Sequence, residues 1–438
     1  MKTPHLLFGL SLLVACTGEP GGGGVNISAT TAVATPETTR TTSTTTAPTT
    51  TTLPPTTTVP SQLVSGRVSD EKGTPVARAF VTMGEVRTAT GPDGWFSLET
   101  TSPTTMSVWK PGWTSTEVVW NEETTFYEAT IEQQTIRGLR VGAEAAGSDQ
   151  AFASLLDVAG SSAVNALVFD TKQEGGKVLY DTGVQAAHDI GAVDVFYDPE
   201  TRIAQAHDHE LYTVTRIVTF EDAHRANAFP EETLVGPWLD PASETARQYS
   251  LDLAAEACEL GFDEIQFDYV RYPAGRTAEI SGQRDLTQEQ RLDAVSGFLS
   301  DARELLHPMG CAVGAAVFGI VASSPDDQGL GQRPEEVSRE VDVLSPMVYP
   351  SHYSDGWLGF EDPNDHPYDV TSDAIGDAMS RMWDDSTLRP YLQAFWWNNQ
   401  QIRRSIQAAE DAGVGWMLWN VRSNFDLEAL PTDAEVAD

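Results

Sequence analysis

The sequence predicts an α/β fold: a (β/α)8 TIM barrel preceded by a small all-β sandwich and a disordered Thr/Pro-rich linker. Three observations predict it. From residue 137 onward, strand-like and helix-like patterns alternate. Candidate strands begin near Gly138, Val164, Tyr212, Phe262, Ala312, Val341, Leu388 and Val414. Eight strands in about 290 residues match such a barrel in number and length. The run from Gly261 to Pro273, GFDEIQFDYVRYP, sets Glu264, Gln266 and Asp268 on one face and Ile265 and Phe267 on the other. A strand apolar outside and carboxylate-lined inside fits a barrel wall, with Asp268 near the C-terminal end where barrels carry their chemistry. An open doubly wound sheet is the competing fold. No Gly-x-Gly-x-x-Gly fingerprint or phosphate loop follows the first strand to support it.

The elements follow in chain order. Residues 1–16 read as an export signal: Lys2 opens it, Leu6 to Val14 form an apolar core too short to span a bilayer, and Leu13-Val14-Ala15-Cys16 follows. That last motif resembles a bacterial lipobox. It implies lipidation of Cys16 and an exported protein, lipid-anchored at the cell membrane and facing the cell wall or extracellular space. Residues 17–61 form the linker; 17 of residues 30–58 are Thr, so the segment cannot bury a core and stays extended. At full stretch it reaches on the order of 100 Å.

Residues 62–135 read as short strands with a turn at Gly73 and another at Pro92-Asp93-Gly94. Ser65 to Val68, Gly73 to Ala79 and Thr90 to Phe96 resemble the carboxypeptidase regulatory-like domain, a small β-sandwich. Trp109, Trp113 and Trp120 either stack on sugars or pack a small core or an interdomain contact.

The barrel is read over residues 136–430. Its second strand ends in Asp170, and its third carries Arg216 with Asp222 just beyond. A helix from Ala246 to Leu260 stops at Gly261. The fourth strand supplies Gln266 and Asp268, with Arg271 following. Glu264 lies deeper and reads as a structural ion-pair partner. The sixth ends in Tyr349, with His352 in its loop. The seventh carries Gln393, then Trp396 and Trp397, which point to opposite faces so that only one can line the cleft. The eighth ends in Trp419 and Asn420. Cys258 and Cys311 both fall toward the N-terminal end of the barrel. They form either a disulfide or two buried thiols.

The chain carries 64 acidic against 27 basic residues, a net charge of −37. Such a surface repels nucleic acid and anionic lipid, so the only membrane contact expected is the lipid anchor. The histidines show no metal-ligand spacing, and neither a metal nor a cofactor is expected. Carboxylates, an arginine, amides and aromatics at strand ends suit a polysaccharide or oligosaccharide partner. Asp268, Asp170 and Asp222 are the candidate catalytic groups. Arg216, Gln266, Arg271, Tyr349, His352, Gln393, Trp396, Trp419 and Asn420 are the candidate substrate-binding groups.

Residues 137–425 resemble an uncharacterised family of bacterial TIM barrels of glycoside hydrolase type, allied to the α-amylase-like and related glycosidase barrels. Gly261 to Pro273 and Asp342 to Tyr353 carry the resemblance most specifically. Asn165 to Asp170 with Lys172, Arg216 to Phe220 and Gly415 to Asn420 support it. The resemblance implies a sugar-directed hydrolase with Asp268 central. One departure stands out: where that family often has an aspartate before Val-Phe-Gly on the fifth strand, this chain has Ala316. The sequence therefore supports two readings, a surface-tethered glycoside hydrolase and a non-catalytic carbohydrate-binding or scaffolding lipoprotein.

Overall fold

The computed structural model describes residues 61–436 apart from Glu122 and Thr125. Cys16, the export signal and the linker up to residue 60 lie outside the described residues.

The barrel strands are β1 (Arg137–Val141), β2 (Ala166–Lys172), β3 (Tyr212–Val218), β4 (Glu264–Asp268), β5 (Ala312–Phe318), β6 (Val343–Val348), β7 (Tyr391–Gln393) and β8 (Trp416–Trp419). Each pairs in parallel with the next, and β8 pairs with β1 to close the ring. A short strand, Thr387–Leu388, precedes β7 on the same partner. Arg389-Pro390 interrupts the two, since proline has no N–H to give the ladder. The outer helices are α1 (Asp149–Ala159), α2 (Pro199–His207), α3 (Glu244–Glu259), α4 (Gln288–Leu306), α5 (Pro334–Glu340), α6 (Pro367–Met379) and α7 (Asn399–Asp411).

The helix α4 shows why these segments fold where they do. Thr287 and Gln290 close a capping box at its start. Leu292, Val295, Phe298, Leu299, Ala302 and Leu306 then recur at helical spacing and are all buried. Phe298 meets Phe267 of β4 edge-on at 4.9 Å and Phe220 at 5.3 Å. Such a ring contributes about 1.5–3 kcal/mol by burial alone. The helix α3 ends at Glu259, and Gly261 follows with φ of 104°, the left-handed turn that lets the chain reverse into β4. Cys258 and Cys311 are disulfide-bonded, tying the end of α3 to the start of β5.

The barrel interior is layered. At the N-terminal end Glu264 is paired with Arg389 and accepts from the Tyr212 hydroxyl at 3.1 Å. A β-carbon on Gly314 would lie 2.6 Å from Glu264 Oε1, so glycine makes room for this layer. Above it Gln266 donates to Ser345 Oγ at 3.2 Å and accepts from Tyr391. The charged layer lies at the C-terminal end.

Residues 62–130 form two sheets. Gln62–Ser69 lies between antiparallel Trp95–Thr100 and parallel Phe126–Thr130. Val86–Ala89, Phe80–Met83, Met106–Trp109 and Thr116–Val118 form an antiparallel four-stranded sheet. Their inner faces share a core that includes Val68, Val81, Phe96 and Val108. This region packs under the N-terminal end of the barrel. Arg78 donates to the Val341 carbonyl at 2.8 Å, and Lys110 donates to that of Asp385 at 2.9 Å. Trp109 stacks on Phe80 at 4.7 Å and approaches Tyr212 at 6.3 Å, while Trp113 and Trp120 pack against the sandwich core. All three tryptophans thus serve packing. Lys110 is buried at this junction, and burial pushes its pKa down to about 8.

Candidate active site

Arg216 of β3 organises the C-terminal end of the barrel. It is almost wholly buried, and its guanidinium meets three carboxylates. Nε lies 2.8 Å from Asp268 Oδ2 on β4, and Nη1 lies 3.2 Å from Asp170 Oδ1 on β2. Nη2 lies 2.5 Å from Glu174 Oε1 in the loop after β2. One shared guanidinium thus holds Asp268 and Asp170 side by side. Arg140 of β1 is bonded to Asp170 from the other side. Both guanidiniums lie against the Trp419 ring, at 4.2 Å for Arg140 and 4.6 Å for Arg216.

The three carboxylates differ in access. Asp170 is fully enclosed and Asp268 is 3 % exposed, whereas the Glu174 side chain is 41 % exposed. Burial alone would raise the Glu174 pKa, but the Arg216 guanidinium overcomes it and holds that carboxyl below the usual glutamate range. Asp268 Oδ1 accepts from the Tyr269 amide at 2.7 Å. Tyr269 adopts φ of 50°, an uncommon conformation for a residue with a side chain.

Aromatic groups wall the site. Tyr349 and Tyr391 are buried beside the cluster, and burial pushes both phenols well up, keeping them neutral donors. His352 is edge-on to Tyr349 at 5.4 Å, and partial desolvation lowers its pKa. Phe395 meets Tyr349 at 5.3 Å. Trp396 is 73 % exposed and holds φ of 61°. Trp397 is half-buried and donates to Asn364 Oδ1 at 2.8 Å, so Trp396 is the one that faces outward.

The structure therefore brings Asp268, Asp170, Arg216, Tyr349 and Trp419 together as the sequence placed them. Gln266 lies one layer below. Asp222 does not join the cluster: it pairs with Lys172 at 2.9 Å and caps the short helix Ala223–Ala228 by accepting from the Arg225 amide at 2.8 Å. Gly176 touches it so closely that a β-carbon there would lie 2.0 Å from Asp222 Oδ1. Arg271 is buried in an aromatic cradle, 4.1 Å over Phe318 and 4.6 Å over Trp238, and burial pushes its pKa down to about 10. Gln393 accepts from Ser351 Oγ at 2.9 Å. Asn420 donates to the Ala394 carbonyl at 2.7 Å and so fixes the β7 and β8 loops. Ala316 stands on β5 in the register position beside Asp268, among Tyr349, Tyr391 and Met417. One carboxyl of the cluster escaped the sequence reading, Glu174, which lies in the loop after β2 where strand alternation gives no signal. A cavity of about 320 Å³ lies at the opposite end of the barrel, between Lys110, Trp113, Trp383 and Leu388, away from these carboxylates.

A closed parallel barrel with carboxylates and aromatics at its C-terminal end is an enzyme-type (β/α)8 barrel with its polar cluster where such barrels carry their chemistry. Comparison with known proteins bears on which one. Residues 138–425 match the family described as "Putative glycosyl hydrolase domain", and the chain belongs to that family. No curated protein matches the chain. Among solved structures, the PgaB (BpsB) glycoside hydrolase domain from Bordetella bronchiseptica aligns over 66 % of this chain and 95 % of that one, with TM-score 0.52 and 11 % identity. A hypothetical protein from Ruminiclostridium thermocellum is 30 % identical over 40 % of this chain and 96 % of its own, with TM-score 0.35. A chitinase from Chromobacterium violaceum covers 69 % of this chain and 98 % of its own, with TM-score 0.43 and 14 % identity. The first of these likenesses supports the barrel fold and nothing finer.

Proposed function

We propose that this protein hydrolyses glycosidic bonds in a cell-wall or extracellular polysaccharide, held at the cell surface through a lipidated Cys16. The observation that carries the reading is the Arg216 clamp. One buried guanidinium holds three carboxylates at the C-terminal mouth of a barrel whose family is that of glycosyl hydrolases. Asp268 serves as the base that takes a proton from attacking water. Arg216 and the Tyr269 amide fix its orientation, and Asp170 balances the charge beneath. Glu174 stands at the entrance. The exposed Trp396 face offers a stacking surface for a sugar ring.

The test is incubation of the purified chain with peptidoglycan, chitin, starch and cellulose, reading both binding and new reducing ends. Release of reducing ends from any of them supports the hydrolase reading. Binding without release supports a second reading, a carbohydrate-binding platform, which the alanine at position 316 favours. Neither binding nor release sinks both. The anchoring half of the proposal rests on the Leu-Val-Ala-Cys motif. Cys16→Ser should move the protein from the membrane fraction to the soluble fraction, and an unchanged distribution would refute lipidation.

A further inference from the structure

Hydrolysis at this site needs a proton donor for the leaving oxygen. Asp170, Glu174 and Asp268 are all spent on Arg216, and position 316 offers a methyl group. We propose that Glu221 is that donor, a catalytic residue at the rim between β2 and β3; the inference rests on the hydrolase reading above.

The backbone delivers Glu221 to the site. Past the end of β3, the Thr219 amide donates to the Asp268 carbonyl at 2.8 Å, and the Phe220 amide to that of Tyr269 at 3.3 Å. The chain thus runs alongside Asp268 and Tyr269 and brings Glu221 next in line. On its other side Glu221 bridges to Trp238, whose ring lies 5.8 Å from that of Tyr269. The side chain turns toward the loop after β2, where Oε2 accepts from the Gly175 amide at 2.6 Å. Gly175 directly follows Glu174, so the two glutamates share one turn, one gripping Arg216 and one not. Among the described residues, no side chain or amide donates to the second Glu221 oxygen.

The charged groups around Glu221 are Glu174, Lys172 and Asp222, with Arg271 beyond. Lys172 is committed elsewhere, to Asp222 at 2.9 Å and to the Val218 carbonyl at 2.6 Å. Burial, aided by the Glu174 charge, raises the Glu221 pKa above the usual glutamate range, against the opposing Gly175 amide and Lys172. Glu174 is displaced the other way. A carboxyl whose pKa is raised keeps its proton to higher pH, which is what a general acid needs. In the step itself, water adds to the anomeric carbon and gives its proton to Asp268. The bond from that carbon to the glycosidic oxygen breaks, and the oxygen takes the proton of Glu221.

Two measurements test this on the full chain. In a carboxyl ¹³C NMR titration, the signal lost in Glu221→Gln should titrate above the exposed glutamates, and Glu174→Gln should move it down. With the polysaccharide that the wild type cleaves, Glu221→Gln should lose about 10²–10⁴-fold in kcat/KM and the basic limb of its pH profile. With a 2,4-dinitrophenyl glycoside of the released sugar, whose leaving group needs no proton, the loss should be under about tenfold. Asp268→Asn should lose both substrates alike. Glu221→Asp, which keeps the carboxyl, should keep part of the activity and guards against mistaking misfolding for chemistry. Equal effects of Glu221→Gln on the two substrates, or a signal that titrates with the exposed glutamates, would overturn the assignment while leaving the hydrolase reading intact. Absence of any hydrolysis by the wild type would remove both.

Discussion

Arg216 and Asp268 stand on neighbouring strands whose register sets Arg216 beside Gln266, two residues short of Asp268. The arginine therefore leans toward the barrel mouth, and its Nε reaches Asp268 Oδ2 at 2.8 Å. The same guanidinium reaches back across β2 to Asp170 and outward to Glu174. A buried cation with three anionic partners is both a structural tie and a means of orienting the reacting carboxylate.

Removing that cation should be costly. Arg216→Met leaves Asp170 and Asp268 facing each other in the barrel without their shared partner. Breaking a buried pair in this way destabilises by about 3–5 kcal/mol. A urea midpoint unchanged from wild type would show that the clamp does not hold the fold.

Asp268→Asn should separate chemistry from folding. The change is nearly isosteric, and the amide oxygen can still accept from the Tyr269 amide. The amide NH2 then replaces an acceptor of Arg216 Nε, so the thermal midpoint should fall. The fall should be smaller than in Arg216→Met, because Asp170 and Glu174 still hold the guanidinium. Hydrolysis of the cleaved polysaccharide should fall by about three orders of magnitude or more. Activity within about tenfold of wild type excludes Asp268 as the base.

Trp396→Ala should act on affinity. The ring is exposed and meets Phe395 edge-on at 5.1 Å. Loss of a stacking face costs about 0.5–1.5 kcal/mol. KM should rise by up to about tenfold with kcat retained, and an unchanged KM would place the sugar elsewhere.

The disulfide should be a stabiliser of the barrel's N-terminal end. Cys258 and Cys311 are 53 residues apart in sequence, and such a link is worth about 2–4 kcal/mol. The double change to Ser should lower the denaturant midpoint accordingly, and thiol titration of the unreduced unfolded chain should find neither of these two cysteines free.

Alkaline unfolding should be cooperative. Burial raises the phenols of Tyr197, Tyr212, Tyr349 and Tyr391 well above their ordinary value. A group whose folded pKa is raised contributes stability below the unfolded pKa, near pH 10, and loses it as pH climbs further. Absorbance at 295 nm should therefore rise in one late step above pH 10, together with loss of near-UV circular dichroism. A gradual rise centred on pH 10 would show these phenols open to solvent.

Period-two alternation in GFDEIQFDYVRYP was enough to place Asp268 at the mouth of a barrel wall, because side-chain direction along a strand depends only on local backbone geometry. The same rule put Asp170 and Arg216 inward and left Glu264 as a structural partner, which Arg389 supplies. Asp222 reads identically to Asp268 by that rule. Its capping of Ala223–Ala228 and its pairing with Lys172 depend on how the loop after β3 folds against Gly176. The choice between a disulfide and two thiols likewise needed the packing of α3 against β5 to bring two distant cysteines together. Glu174 and Glu221 lie in loops with no repeating pattern, and only tertiary contacts, one with Arg216 and one with the Gly175 amide, bring them to the site. The sequence by itself determined which side chains of each strand face inward, since that is set residue by residue. The tertiary structure alone decided which carboxyls share a guanidinium, since that depends on the closure of strands and loops far apart in the chain.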